Sequence, residues 1–201
     1  DFDITNENQC IKLISHHKPE WVINTSAYTL VDQAEINSKD AFSVNTIGAK
    51  NLARTIKKYG GNLLHFSTDF VFSGNESKPY SPYQRTNPIN IYGKSKAEGE
   101  MAIQELLNHT NQGLIIRTSW LLGSVGKNFA LTILKLHKEQ ENISVVSDQI
   151  GSPTTTSSLA RACWKLITLN SSQKNNQIII PSICHYADSG IASWYDLAIA
   201  I

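Results

Sequence analysis

Short apolar runs rich in valine and isoleucine alternate along this chain with stretches whose apolar residues recur at helical spacing. Strands buried on both faces of a parallel sheet read as such continuous runs, whereas packed helices show one apolar face. Because repeated strand and helix units connect through right-handed crossovers, the pattern predicts an α/β fold with a Rossmann-like, doubly wound parallel sheet. The predicted strands are Trp21–Asn24, Asn62–Ser67, Leu114–Thr118 and Ile143–Val146, and the predicted helices are Asn8–His17, Ser38–Tyr59, Ser95–Asn108, Lys127–Lys138, Leu159–Leu169 and Trp194–Ile201.

Length and charge narrow the class of protein further. The 201 residues suffice for one ordinary domain of roughly 100–200 residues. Charged residues make up 17% of the chain and the formal net charge is +1, so no basic footprint for nucleic acid is indicated. No apolar run approaches the roughly 18 residues that would cross a bilayer. An odd count of 3 cysteines argues against a disulfide framework and predicts a reducing, cytoplasmic location.

The two ends of the sequence suggest a piece of a longer protein. The first residue is Asp1, the one methionine is Met101, and the chain stops within a predicted helix at Ile201. We therefore expect both ends to be truncated.

Two short patterns place reactive side chains at predicted strand and helix ends. Tyr92 and Lys96 are four residues apart, so they share one face of a helix. By spacing alone, a solvated helix start is the favoured interpretation of this pair. Ser67, Thr68 and Asp69 follow a predicted buried strand, and ligands of open parallel sheets bind at the carboxyl ends of strands. Hydroxyl residues are also common where strands pass into loops, so this pattern alone leaves both interpretations open.

Taken together, the motifs resemble the extended short-chain dehydrogenase/reductases. Within that family they resemble the sugar-nucleotide reductases that form dTDP-L-rhamnose. The likeness runs through nearly the whole chain, in order. It is carried by the segments Asn24–Glu35, Ser67–Gly74, Pro88–Glu100, Arg117–Trp120, Asn128–Ala130 and Ser147–Thr154.

The resemblance implies an enzyme that reduces the C4 ketone of a dTDP-linked 6-deoxyhexulose with hydride from NADPH or NADH. Tyr92 would then donate the proton that the resulting oxyanion needs. Lys96 would lower the pKa of Tyr92 as a nearby cation and would hold the ribose of the cofactor. Thr68 would hydrogen-bond the carbonyl oxygen of the substrate, where negative charge develops.

The same residue-by-residue comparison implies further binding contacts. Cofactor contacts are expected near the adenine from Asp3 and Ile4, and along the ribose and pyrophosphate from Ala27, Tyr28 and Thr29. Substrate contacts are expected from Asp69 and Trp120, with Asn128 and the loop Asp148–Thr154 as weaker candidates. A half-buried packing role is the simpler alternative for Trp120.

The sequence also departs from the family pattern. The glycine-rich turn G-x-x-G-x-x-G is not found in it, so the cofactor preference cannot be read and we expect this polypeptide alone to be inactive. Residues 1–146 would form part of the cofactor domain and residues 147–201 part of the substrate-binding region. No metal site is predicted, and a homodimer is a possible state of the complete protein.

Three other functions were weighed. A sugar-nucleotide dehydratase would need an acid after Asp69, where this chain has Phe70. A metal hydrolase is not favoured, because the 6 histidines show no ligand spacing; His65, inside a strand, is expected to be a satisfied core residue. The regulatory subunit of methionine adenosyltransferase, a non-catalytic binding protein similar to these reductases, stays open as the alternative.

Overall fold

The computed structural model describes residues 2–139, 142–171 and 180–201. The α-helices within these ranges are α1 (Glu7–His17), α2 (Val31–Ile36), α3 (Ser38–Phe42), α4 (Ala49–Tyr59), α5 (Ile91–Leu107), α6 (Phe129–Glu139), α7 (Thr156–Ser171) and α8 (Trp194–Ala200). The strands are β1 (Trp21–Asn24), β2 (Asn62–Thr68), β3 (Gly113–Thr118), β4 (Leu121–Leu122), β5 (Ile150–Gly151), β6 (Thr154–Thr155), β7 (Ile183–His185) and β8 (Ala192–Ser193).

A four-stranded sheet with the order β1-β2-β3-β7 forms the centre of the fold. Strand β1 runs parallel to β2, and β3 runs parallel to β7. The predicted α/β class with a Rossmann-like parallel sheet is therefore confirmed. Among the helices of the described residues, none is both long and apolar enough to cross a membrane.

The principal apolar core lies where α1, α4 and α5 meet the sheet. Burying an aliphatic side chain contributes about 1.5–3 kcal/mol relative to leaving it exposed, so this cluster is the main source of stability for the sheet region. Its buried members are Ile4, Cys10, Ile14, Ala49, Leu52, Ala53, Ile56, Leu63, Ile103, Leu107 and Ile115.

The described residues form two compact units. The first consists of residues 1–117 and 180–185, and the second of residues 118–179 and 186–201. The second unit contains two short ladders, β4 parallel to β6 and β5 antiparallel to β8. The predicted division at residue 146 concerns which part binds cofactor and which binds substrate, and it stays a prediction.

The predicted strand at Ile143–Val146 is wrong, because residues 142–146 are irregular. Valine and isoleucine favour strands, but a strand also needs a neighbouring edge to pair with. The edge of the sheet beside β3 is instead occupied by β7. Val146 accepts one backbone hydrogen bond, from Tyr195 at 3.1 Å.

Two predicted helices differ most from the observed ones, and the bounds of the others differ by one to three residues. The predicted helix over 38–59 is divided by a π-helical segment, Ser43–Gly48, and α5 begins at Ile91, four residues before the predicted start. The sequence also did not indicate α2. Most of the predicted connector, Asn170–Gln177, lies outside the described residues.

Candidate active site

The carboxyl end of β2 and the first turns of α5 bring the predicted catalytic residues together. Thr68 ends β2, Tyr92 lies in the first turn of α5, and Lys96 lies one turn further along. The side chain of Thr68 acts on the phenol of Tyr92 and lowers its pKa. Thr68 and Lys96 are both buried, so these groups act in a site from which most water is excluded.

Thr68 is held by the turn that it begins. Its hydroxyl group donates to Asp69 Oδ1 at 2.9 Å and accepts the backbone N–H of Phe70 at 3.2 Å. Burial raises the pKa of Asp69, while the hydrogen bond from Thr68 opposes that rise. Asp69 therefore lies beside the predicted catalytic hydroxyls, as expected for a residue near the substrate, but its contact with a substrate stays a prediction.

Burial dominates the acidity of Tyr92. It raises the pKa of Tyr92 to about 12, the hydrogen bond with Thr68 lowers it, and the charge of Asp69 raises it further. The causes of this shift are burial, Thr68 and Asp69, so the expectation that Lys96 lowers the pKa of Tyr92 stays a prediction. Tyr92 is consequently fully protonated at neutral pH, which is the state that a proton donor needs.

The ammonium group of Lys96 is directed toward the sheet. Its Nζ donates to the carbonyl oxygen of Phe66 at 2.6 Å and lies 3.3 Å from His65 Nε2. Burial lowers the pKa of Lys96 to about 8, and the charge of Glu100 opposes this. Lys96 is therefore mostly charged at neutral pH, despite being buried. His65 is 1% exposed, so its predicted place in the core is confirmed.

The start of α5 is fixed by polar contacts that the sequence did not indicate. Asn90 accepts the N–H of Gly93 at 2.7 Å and so caps the helix. Glu35 of α2 accepts the N–H of Ile91, also at 2.7 Å. These contacts satisfy two of the free N–H groups of the first turn and hold Tyr92 in register with Thr68.

The predicted cofactor segment Ala27–Thr29 is clamped by Asn45. The Asn45 side chain accepts the N–H of Tyr28 at 2.9 Å and donates to the Tyr28 carbonyl oxygen at 3.1 Å. It also donates to Ser95 Oγ at 2.9 Å, which ties this segment to α5. Asn45 lies in the π-helical segment, and such local widening is frequent at functional sites. No sequence pattern marked Asn45.

The two predicted adenine-side residues have different surroundings. Asp3 is exposed, and its carboxylate accepts two hydrogen bonds from Thr5 at 2.8 Å. Ile4 is 6% exposed and belongs to the apolar core, while its carbonyl oxygen accepts from Asn51. Any contact of Ile4 with a cofactor would therefore be made chiefly by its backbone, and both contacts stay predictions.

A buried ion pair joins α5 to β3. The guanidinium group of Arg117 donates to both carboxylate oxygens of Glu100, at 2.9 and 2.6 Å. The Arg117 side chain is 4% exposed and that of Glu100 is 2% exposed. The ring of Phe72 lies 5.0 Å from the guanidinium carbon. This pair was not predicted, because its partners are far apart in the sequence.

Trp120, in the second unit, has an unusual backbone and a stacked side chain. Its φ is +47°, a conformation that bulky residues rarely adopt. Its ring stacks on that of Trp194 with centroids 3.5 Å apart and planes 7° apart. A Cβ at Gly151 would overlap the Trp120 indole. Surrounding residues thus fix the orientation of Trp120, and its predicted substrate contact is untested.

Asn128 acts as a helix cap in this structure. Its side chain accepts the N–H of Leu131 at 3.1 Å and donates to the carbonyl oxygen of Gly123 at 2.8 Å. Its predicted contact with substrate stays a prediction. Within the described ranges, no group of three or more histidine, cysteine, aspartate or glutamate side chains is arranged to hold a metal ion.

Comparison with known families agrees with this geometry. A family model described as the RmlD substrate binding domain matches residues 1–201. The chain belongs to the RmlD family. The match covers both compact units, and its range includes the predicted catalytic triad Thr68, Tyr92 and Lys96.

Individual relatives of the RmlD family give the same result. The chain is 40% identical over 201 residues to a dTDP-4-dehydrorhamnose reductase of Aggregatibacter actinomycetemcomitans, covering 100% of this chain and 66% of that protein. It is also 40% identical, over 199 residues, to the spore coat polysaccharide biosynthesis protein SpsK of Bacillus subtilis, covering 99% of this chain and 66% of that protein. The chain thus spans about two thirds of the length of these relatives.

A solved structure extends the likeness to three dimensions. The crystal structure of dTDP-4-dehydrorhamnose reductase from Bacillus anthracis, in complex with NADP, matches with a TM-score of 0.89 and 40% sequence identity. The match covers 99% of this chain and 67% of that one.

Proposed function

We propose that this chain is part of an enzyme that reduces the C4 ketone of dTDP-4-dehydro-6-deoxy-L-mannose to dTDP-L-rhamnose with NADPH or NADH. The observation that carries the proposal is the grouping of Thr68, at the end of β2, with Tyr92 in the first turn of α5 and Lys96 on the next turn of the same helix. The names of the similar proteins, dTDP-4-dehydrorhamnose reductases among them, support this reaction and its cofactor. They favour the reductase over a regulatory subunit of methionine adenosyltransferase.

The chemistry requires one hydride and one proton. When bound, the nicotinamide cofactor supplies the hydride to C4. Thr68, whose O–H donates to Asp69 in the structure, turns that O–H toward the ketone oxygen and so stabilises the negative charge that develops there. Tyr92 then transfers its phenolic proton to that oxygen. Because Tyr92 is protonated at neutral pH, the donor is ready before the substrate arrives. Burial disfavours the phenolate that remains, which promotes its reprotonation.

The residues near the triad fit a nicotinamide nucleotide. Lys96 is a buried cation whose donors suit ribose hydroxyls, and the backbone of Ala27–Thr29 is held in place by Asn45. Ser67 Oγ is buried and lacks a hydrogen-bond partner within the described part of the chain. Buried polar atoms normally find a partner, so an unpaired hydroxyl at the end of β2 is consistent with a polar ligand nearby.

The remaining contacts form part of the same proposal. We infer that Asp3, Ile4, Ala27, Tyr28, Thr29, Tyr92 and Lys96 contact the cofactor and that Thr68, Asp69, Trp120 and Asn128 contact the dTDP-sugar. Residues 1–146 would serve the cofactor and residues 147–201 the sugar nucleotide. A cytoplasmic location and a homodimer of the complete protein are further predictions.

NADPH oxidation with dTDP-4-dehydro-6-deoxy-L-mannose tests the proposal. The full product of the gene that encodes this chain would be compared with its Tyr92→Phe variant. Removing a general acid costs roughly 100-fold or more in turnover, so we expect a loss of at least that size while the fold and NADPH binding persist.

Tyr83→Phe is a matched control, because Tyr83 is 84% exposed and should turn over as wild type does. A folded wild-type protein that binds NADPH but gives no turnover would contradict the reductase. Binding to methionine adenosyltransferase would then be the next assay.

A further inference from the structure

His65 connects the end of β1 to the lysine of the triad. Its Nδ1 lies 2.9 Å from Asn24 Nδ2, and its Nε2 lies 3.3 Å from Lys96 Nζ. All three residues are buried, with exposures of 4% for Asn24, 1% for His65 and 2% for Lys96. Bulk water therefore cannot satisfy these groups, and their protonation states must agree with one another.

A backbone N–H fixes the direction of the hydrogen bonds that link the side chains of Asn24, His65 and Lys96. The N–H of Ser26 donates to the side-chain oxygen of Asn24 at 3.0 Å. The amide nitrogen of Asn24 must then face His65 and donate to Nδ1. Nδ1 consequently carries no proton, and the single proton of the neutral ring lies on Nε2. Burial and the nearby charge of Lys96 lower the pKa of His65 far below its usual value, so the ring is neutral.

In this tautomer, His65 Nε2 presents an N–H to Lys96 and has no free lone pair that could accept a hydrogen bond from it. Among the described residues, the hydrogen-bond acceptor of Lys96 on the side of the sheet is the carbonyl oxygen of Phe66, at 2.6 Å. An ammonium group has three donors, and His65 accepts none of them. The other donors of Lys96 are thereby left for a partner on the ligand side.

We propose that His65 is a positioning residue that acts through Lys96. Locked by Asn24 with its proton on Nε2, it denies the lysine a second acceptor on the sheet and keeps the lysine donors free for oxygen atoms of a bound nicotinamide nucleotide. The inference deepens the proposed function and rests on it for the identity of the ligand. The desolvation of the lysine is imposed by the fold, so a ligand that offers acceptors gains the full hydrogen bonds.

Glu100, one turn further along α5, is the charged group that raises the pKa of Lys96. Tyr92 is on the same helix, and its own pKa responds to Thr68 and Asp69. With Nε2 protonated, the ring N–H and the Lys96 ammonium group face each other as two donors 3.3 Å apart. This unfavourable contact is imposed by the hydrogen bonds from Ser26 to Asn24 and from Asn24 to His65, and it disfavours a Lys96 donor on the side of His65.

The tautomer can be read directly by ¹⁵N NMR of histidine-labelled full gene product without ligand. We expect the His65 resonances of a neutral ring protonated at Nε2. A ring protonated at Nδ1, or a doubly protonated ring, at pH 7 would overturn the inference. This readout requires neither a variant nor activity.

Asn24→Asp is the sharpest variant, because it preserves the shape of the side chain and reverses its hydrogen-bonding role. A carboxylate accepts both the Ser26 N–H and a proton on His65 Nδ1, so Nε2 becomes an acceptor for Lys96. We expect the tautomer to switch and the pKa of Lys96 to rise above about 8. The dissociation constant for NADPH, measured by fluorescence titration, should rise about tenfold, as for the loss of one charged hydrogen bond.

Asn75→Asp is the matched control, because it adds the same charge at an exposed loop residue and should bind NADPH as wild type does. A switched tautomer with unchanged NADPH affinity would overturn the positioning role. If wild type binds no nicotinamide nucleotide, the proposed function fails, and the tautomer and the Lys96 titration still decide what His65 does. If Asn24→Asp does not fold, His65→Gln, which can offer Lys96 an amide oxygen, provides the same binding comparison.

Discussion

Gly93 of α5 lies directly against the carbonyl oxygen of Phe70, in the turn that follows β2. A Cβ atom at position 93 would overlap this oxygen. The ring of Phe70 also meets that of Tyr92 edge-on, with centroids 5.5 Å apart. The helix that carries Tyr92 can therefore approach the strand end that carries Thr68 only because position 93 has no side chain.

Gly93→Ala should separate these two elements. Alanine favours helices over glycine by up to about 1 kcal/mol, but overpacking a rigid backbone contact costs about 1–3 kcal/mol. We expect a net loss of about 1–2 kcal/mol in the free energy of unfolding, measured with urea, and a larger loss of turnover than of NADPH binding. Lys94→Ala, at the exposed neighbouring position, should change neither. Wild-type turnover in Gly93→Ala would show that the close approach is not required.

Glu100→Gln should be strongly destabilising, because it leaves the guanidinium group of Arg117 buried without a counter-charge. Removing one partner of a buried ion pair costs about 3–5 kcal/mol. Urea unfolding at pH 7 would measure the loss. The exposed pair Arg54 and Glu7, 3.8 Å apart with both side chains 47% exposed, provides the comparison, and Glu7→Gln should cost less than about 1 kcal/mol. Equal effects of the two variants would contradict a special role of burial.

Lys96→Met should stabilise the fold while removing activity. The folded state lowers the pKa of Lys96 from 10.5 to about 8, which corresponds to about 3 kcal/mol of unfavourable free energy at pH 7. The variant also loses the hydrogen bond to Phe66, which costs about 1 kcal/mol and offsets part of the gain. We therefore expect the free energy of unfolding to rise by about 2 kcal/mol at pH 7.

The difference in free energy of unfolding between Lys96→Met and wild type should decrease as the pH rises. Between pH 8 and 10.5 the unfolded wild-type chain binds more protons at Lys96 than the folded chain does, so wild-type stability rises with pH through this contribution. Contributions from other groups, such as Cys10 with its pKa raised to about 11, are common to both proteins and cancel in the difference. Urea unfolding of both proteins from pH 7 to pH 10 checks this, and a constant difference would be the contrary result.

Gly151→Ala should displace the Trp120 indole, because the new methyl group would occupy its place. On the proposed substrate role of Trp120, we expect KM for the sugar nucleotide to rise about tenfold with little change in NADPH affinity. The near-ultraviolet circular dichroism of the stacked Trp120 and Trp194 rings should also change. Ile191→Ala, at an exposed position outside the candidate substrate loop, is the control. An altered spectrum with an unaltered KM would argue against substrate contact by Trp120.

The sequence predicted strands and helices correctly where the local residue pattern and the tertiary packing favour the same element. Continuous apolar runs predicted β1, β2 and β3. The predicted helix end at Tyr59 coincides with the end of α4, which is followed by Gly60 and Gly61, both with φ near +90°. The predicted strand at Ile143–Val146 was wrong, because the strand preference of its residues does not show which segment of the chain pairs with the edge of β3. The start of α5 was missed because its cap depends on Asn90 and on Glu35, which is distant in the chain.

The sequence by itself determined the α/β class, the order of the main elements and the membership of Thr68, Tyr92 and Lys96 in one motif, because these follow from periodicity and from residues close together in the chain. The tertiary structure alone decided the protonation of the site. Burial raises the pKa of Tyr92 and lowers that of Lys96, and Asn24 fixes the tautomer of His65 across two strands. Desolvation and long-range hydrogen bonds depend on which groups meet in space, and no local pattern records that.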